Sequence, residues 1–254
     1  MPIGVQLYSV RDDMAKDFKG TLKKVKELGY DGVEFAGLFG NTPEQVKAMC
    51  AEIGLNPISA HVPLAEMLAD VDKVIADYKA VGCTYIVVPY VTEERRPGGE
   101  LFLQMVEEIR AIGQKCKEAG LTLLYHNHDF EFKKLESGEY GLDYLYANVS
   151  SDLLQTELDQ CWVKYSGLEP VEYLKKYPER IKMLHIKDDL VIGESGKIDF
   201  EAIFKQFYKN GFKDYVVEQE MPYDKNSTRE QNLGRMWDGV AKSATYLNEA
   251  KFVK

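Results

Sequence analysis

One unit recurs along the chain: an amphipathic helical stretch, a glycine near its end, then a short apolar run. It reads Glu-Leu-Gly-Tyr-Asp-Gly-Val-Glu-Phe from Glu27, Glu-Ile-Gly-Leu-Asn-Pro-Ile-Ser from Glu52 and Ala-Val-Gly-Cys-Thr-Tyr-Ile-Val-Val from Ala80, and it returns from Glu118 and Lys209. Gly29, Gly54, Gly82, Gly120 and Gly211 are each placed to end a helix in the left-handed conformation. Runs that are apolar on both faces and alternate with helices predict parallel βαβ units. Eight strands follow, at about residues 3–8, 32–36, 57–61, 85–89, 121–126, 153–159, 181–186 and 215–218. Between them, Phe18, Leu22, Val25 and Leu28 form one buried helical stripe, and Met105, Ile109, Ile112 and Cys116 another. Further helices are predicted at about 43–53, 64–81, 142–147, 171–177, 199–210 and 229–250.

Eight βα units in 254 residues is the size of a (β/α)8 TIM barrel. A doubly wound α/β sheet competes, but it usually carries a glycine-rich phosphate turn after strand one. Here that turn runs from Tyr8 to Asp12 without a glycine. With no linker-like or low-complexity tract, one domain over residues 1–254 is expected.

Charge narrows the partners. The formal net charge is −9, which argues against a groove for a phosphate backbone, so no nucleic acid is expected. Lys23, Lys24 and Lys26 interleave with Leu22, Val25 and Leu28 and read as the solvated face of one helix. No window is apolar enough to span a bilayer. Met1-Pro2 leads into a strand-like run with no basic or apolar leader, and Cys50, Cys83, Cys116 and Cys161 form no CxxC pair. Reduced packing thiols in a cytoplasmic protein are the expectation.

The chemistry gathers at strand ends, where a barrel of this kind builds its active site. His61 ends strand three, His126 and His128 strand five, and His185 strand seven. On strand five, Thr122, Leu124, His126 and His128 share a face, apolar at first and then imidazole-bearing. On strand six Gln155, Glu157 and Asp159 alternate onto one face; on strand seven Met183, His185 and Lys187 do; on strand eight Val216, Glu218 and Glu220 do. Strand two contributes Glu34. Asp188, Asp189 and Glu220 read as loop solvation. An inward His126, Asp159, His185 and Glu218 would converge at the barrel mouth as metal ligands. Two imidazoles and two carboxylates suit Mn²⁺, Co²⁺, Fe²⁺ or Zn²⁺ better than Mg²⁺. Such a metal would hold a hydroxy-carbonyl compound while a carboxylate such as Glu218 or Glu157 moves the proton.

The strand-end series Gly-Val-Glu-Phe from Gly32, Ser-Ala-His from Ser59, Tyr-His-Asn-His from Tyr125, Glu-Leu-Asp from Glu157, Leu-His-Ile-Lys-Asp from Leu184 and Val-Glu-Gln-Glu from Val217 resembles the sugar phosphate isomerase/epimerase superfamily, the xylose isomerase-like barrels. The resemblance covers nearly the whole chain. It implies a small sugar, keto-sugar or polyol as substrate, some homo-oligomer, and a divalent metal held by Glu, Asp, His and Glu from strands five to eight. The last three fall on Asp159, His185 and Glu218; the strand-five Glu lines up with His126. That departure removes one of two opposed carboxylate bases, so His126 or His128 would have to serve as the second. Trp162 stands where many relatives carry His, placed either to stack on a sugar ring or to pack against the barrel rim. Gln6 and Tyr8, at the tip of strand one, join Glu34, His61 and Trp162 as expected substrate contacts, and Lys187 joins Glu218, His128 and Glu157 as an expected catalytic group. The run from Tyr125 to Phe132 also resembles members assigned to inosose dehydration or 3-keto-sugar elimination. Isomerisation or epimerisation is thus the first expectation, and dehydration or β-elimination the alternative. A DNA-repair barrel of the endonuclease IV type would need more metal ligands and a basic path; a non-catalytic sugar-binding barrel would need no metal.

Overall fold

The computed structural model describes residues 3–253. Eight parallel strands close into a barrel in sequence order, with β1 (Gly4–Gln6) pairing β8 (Asp214–Val217). Between them come β2 (Gly32–Phe35), β3 (Asn56–His61), β4 (Tyr85–Val88), β5 (Thr122–His126), β6 (Gln155–Asp159) and β7 (Ile181–Ile186). The helices are α1 (Arg11–Met14), α2 (Phe18–Glu27), α3 (Pro43–Ile53), α4 (Leu64–Val81), α5 (Phe102–Glu118), α6 (Gly141–Asn148), α7 (Gln160–Tyr165), α8 (Pro170–Lys176), α9 (Phe200–Lys209) and α10 (Arg229–Glu249). This is the expected (β/α)8 architecture. Among the described residues no helix is long and apolar enough to cross a membrane.

The helix ends follow the sequence signals. All five predicted glycines have positive φ, as at Gly54 (78°) and Gly82 (106°). Thr42 and Gln45 form a capping box ahead of Pro43, and Thr228 and Gln231 form another at α10. Both predicted stripes face inward, with Leu28 at the partly buried end of the first. The lysines of α2 face outward, where Lys24 lies over the Trp237 ring and Lys26 meets Asp31 at 2.6 Å.

Three local departures matter for the site. β1 is shorter than predicted because the Gln6 side-chain oxygen accepts from Tyr8 N, which winds residues 7–10 into a 3₁₀ turn. Asp159 is followed at once by the short helix α7, which periodicity did not flag; its carboxylate accepts from Cys161 N and Trp162 N. Helix α4 is broken at Asp70, whose φ of −159° and ψ of 79° are not helical.

The lumen below the mouth is apolar. Ile58, Tyr85, Val87, Leu124, Met183 and Val216 fill it. A register shift between β2 and β3 turns both Ile58 and Ser59 inward. Gly32 faces Ile58 so closely that a Cβ there would stand 2.4 Å from the Ile58 Cδ1. Glycine is therefore the residue that lets the lumen close around an isoleucine.

Candidate active site

Above this plug the inward positions turn polar. Gln6 Nε2 donates to Glu34 Oε1 at 2.7 Å, and Ser59 Oγ donates to Glu34 Oε2 at 2.6 Å. The His61 ring bridges two buried carboxylates: its Nε2 lies 2.7 Å from Glu157 Oε2 and 3.0 Å from Glu34 Oε1. His126 Nδ1 reaches the same Glu157 oxygen at 3.1 Å. Burial works against charge on His61, but the two carboxylates outweigh it and hold the imidazole's pKa well above its ordinary value. Glu34 is likewise held down to about 2: burial opposes this, and His61, His185 and Ser59 prevail. Glu157 is pushed up, by burial and by the neighbouring Glu34.

All four imidazoles meet here. The His126 ring centroid lies 4.5 Å from that of His185, 4.9 Å from His128 and 5.1 Å from His61. Burial, then the neighbouring imidazoles, push His126 well below its ordinary pKa. Burial lowers His128 too. His185 goes the other way, to about 9, because Glu157, Asp159 and Glu218 outweigh its burial.

The four residues expected to share one cation divide into two groups. Asp159, His185 and Glu218 present ligand atoms within 4.8 Å of one another, whereas His126 falls in a second group with His61, Glu157 and again His185. His185 Nδ1 lies 3.4 Å from Asp159 Oδ2. Neither His185 ring nitrogen nor Asp159 Oδ2 has a hydrogen-bond partner, although all three atoms are buried. Buried polar atoms left unpaired cost about 1–3 kcal/mol each, so this set fits a cation with mixed nitrogen and oxygen ligands.

Asp159 is held from two sides. Its Oδ1 caps α7, and its backbone is gripped by the Asn127 amide: Asn127 Nδ2 donates to Asp159 O at 3.1 Å, and Asp159 N donates to Asn127 Oδ1 at 3.0 Å. The Asn127 side chain thus continues the β5–β6 ladder past the last strand pair. Lys187, just past β7, lies 3.2 Å from Glu218 Oε2 and 2.7 Å from Glu220 Oε2, with its Nζ over the Trp162 ring. Burial disfavours its charge, but Glu218, Asp159 and Glu220 hold its pKa above the ordinary lysine value.

A cavity of about 510 Å³ opens over these groups. Among the expected residues, Tyr8, His61, His126, His128, Trp162, Lys187 and Glu218 line it. Gln6, Glu34, Glu157, Asp159 and His185 lie beneath its floor, each 0 % exposed. Gln6, Glu34 and Glu157 therefore reach the cavity through His61 and His126 rather than by direct contact. Gln155 stays out of the site, its amide donating to Ser151 O. Asp188 differs from the loop-solvation reading: it is buried, accepting from Asp189 N and Gly193 N. Glu220 keeps to that reading, its side chain 57 % exposed at the cavity rim where it meets Lys187.

Three contributors went unread in the sequence. One is Asn127. Another is Glu131, buried beneath the His128 loop, where it accepts from Tyr125 OH at 2.7 Å and His128 N at 2.8 Å. Burial raises its pKa to about 7. The third is Tyr90, whose ring meets His128 edge-on while His128 stacks on Phe130. For Asn127 and Glu131, polar residues at odd positions of the run from Tyr125 to Phe132 were the available signal.

A family model described as the xylose isomerase-like TIM barrel matches residues 22–243. An inosose dehydratase from Geobacillus kaustophilus is 25% identical over 191 residues, 66% of this chain and 60% of the dehydratase, so the match spans less than two thirds of that protein. A second inosose dehydratase, from Clostridium botulinum, is 27% identical over 132 residues, 43% of each chain. A solved sugar phosphate isomerase/epimerase from Parabacteroides distasonis superposes with a TM-score of 0.85 at 30% identity, covering 100% of this chain and 99% of its own. A solved L-ribulose 3-epimerase shares the fold, with a TM-score of 0.72 at 16% identity over 98% of this chain and 94% of its own.

Proposed function

Because the chain belongs to the family of xylose isomerase-like TIM barrels, we propose that it is a divalent-metal-dependent enzyme that removes a proton next to the carbonyl of a small keto-sugar or polyol ketone and expels the β-hydroxyl as water. A cation held by Asp159, His185 and Glu218 supplies, when bound, Lewis-acid polarisation of the ketone oxygen. The remaining work falls to side chains. Glu218 accepts the proton from the α-carbon, the C–H pair becomes the new C=C bond, and Lys187 gives a proton to the departing hydroxyl. The carboxyl and amine left behind stand 3.2 Å apart, so one proton transfer between them restores both. His61 positions the sugar from across the cavity and Trp162 from beside Lys187, while buried Glu34 and Glu157 fix His61 and Gln6 holds Glu34.

The observation that carries this reading is the Lys187–Glu218 pair, an acid and a base on adjacent strand ends at one side of the cavity. Elimination needs one of each. Epimerisation needs a base on either face, and the cavity's other carboxylate away from this side is Glu66, exposed at the mouth. The second reading, epimerisation or isomerisation, is favoured by His126 and His128, whose lowered pKa values leave neutral imidazoles able to accept a proton. The similarity to inosose dehydratases supports the first reading, and that to the Parabacteroides isomerase/epimerase supports the second.

The test is product mass. Metal-loaded protein is incubated with inososes and keto-sugars, and a product lighter by one water is expected. Glu218→Gln and Lys187→Met should each slow its formation about 10²–10⁴-fold. A product of unchanged mass but altered stereochemistry would move epimerisation to the front. Full turnover by Glu218→Gln would remove Glu218 from the chemistry.

A further inference from the structure

The cavity continues sideways. An apolar groove of about 280 Å³ lies beside it, and the two share Pro63, Pro89 and Tyr90 as a common wall. The groove's other apolar walls include Leu64, Leu68 and Val91, and its cationic member, Arg95, is already paired with Glu108. The break in α4 builds this wall. Asp70 leaves the helical conformation and its carboxylate accepts from Lys73 N at 3.0 Å, restarting the helix there. Residues 64–69 thus form a separate turn, anchored by buried Leu64 and Met67, that sends Glu66 to the cavity and Leu68 to the groove. Leu68 is 42 % exposed and Tyr90 47 %, so the leucine side chain and part of a tyrosine ring, its hydroxyl held by Arg96, stand in water at the mouth of a polar site.

Sugar hydroxyls gain nothing from such a wall, whereas an apolar group attached to the sugar does. A protein laid over the groove would also cover the shared wall and close the cavity mouth. We propose that the groove is the subsite for an apolar substituent on a keto-sugar seated in the main cavity, so that the substrate is a glycoside-like ketone carrying an aryl or alkyl group. This assignment rests on the reaction proposed above and names its substrate class.

A 4-keto-glucose and its phenyl glycoside, which carry the same hydroxyls β to the ketone, make the comparison. Burying roughly 60 Å² of ring at ~25 cal/mol/Å² corresponds to about a tenfold gain. The phenyl compound should show a KM about tenfold lower in the wild type. Leu68→Gln should erase most of that difference and leave the free keto-glucose KM unchanged. Equal KM values for both compounds, or a Leu68→Gln effect of equal size on both, would overturn the subsite. If neither compound turns over, the proposed reaction fails, and calorimetry with unoxidised phenyl glucoside and glucose decides the subsite separately. Phenyl glucoside binding about tenfold tighter, with the difference lost in Leu68→Gln, would sustain it, and equal or absent binding would overturn it.

Discussion

Asn127→Ala isolates a residue that sits under the site without touching its cavity. In the wild type the amide of Asn127 satisfies both the N–H and the C=O of Asp159, in surroundings where both residues are 0 % exposed. Alanine leaves the Asp159 N–H without a partner and its C=O with only the first bond of α7. At about 1–3 kcal/mol for the unsatisfied buried N–H, with a smaller loss at the C=O, the cost is roughly 1–4 kcal/mol once some water enters the vacated space. A chain of this size shifts its melting temperature by about 2–4 °C per kcal/mol, so a fall of roughly 3–12 °C is expected. The same substitution frees the Asp159 backbone and lets its carboxylate drift from His185. Loss of such an outer support costs about 10–100-fold in metal affinity. Thermal unfolding in chelator measures the first effect, and titration with Mn²⁺ or Co²⁺ the second. A melting temperature within 2 °C of wild type together with unchanged metal affinity would refute the claim that Asn127 holds the rim of β5 and β6.

Two further outcomes follow from the packing. Gly32→Ala should cost about 1–3 kcal/mol in thermal unfolding, because its Cβ would stand 2.4 Å from Ile58 Cδ1; adding Ile58→Val, which removes that methyl, should cost less than the sum of the two single changes. Tyr125→Phe should be pH-dependent. Glu131 titrates at about 7 in the fold, above its ordinary 4.5, so the stability that accompanies its neutral form is complete below 4.5 and is lost as pH rises through 7. Above that point the Tyr125 hydroxyl donates to an ionised carboxylate, and denaturant unfolding should show a loss of about 1.5–3 kcal/mol at pH 8 against roughly 1 kcal/mol at pH 5. Equal losses at both pH values would contradict this assignment.

The barrel was legible because its signals are local and repeated. Each helix-ending glycine and each doubly apolar run states its own geometry, and eight of them leave one closed arrangement. The strand-end rule likewise located His61, His126, His185, Asp159 and Glu218. Which of those side chains meet depends on features that spacing alone does not carry. The register shift between Thr156 and Glu157 sets β6 against β7 so that Asp159 pairs with His185 and Glu157 with Met183. Glu157 then bonds His61 and His126 beneath the floor, and His126 leaves the group with which it was first placed. Asn127 and Glu131 were unread for a different reason. An inward–outward alternation assigns them away from the cavity, and their partners are a strand end and a tyrosine known only once β5 is packed.

Anomalous diffraction from crystals grown with Mn²⁺ tests the central claim most directly. A single peak at about 2.0–2.2 Å from carboxylate oxygens of Asp159 and Glu218 and from a ring nitrogen of His185 is the predicted result. A peak among His61, His126 and Glu157 instead, or none at the barrel mouth from protein saturated with the ion, would contradict it.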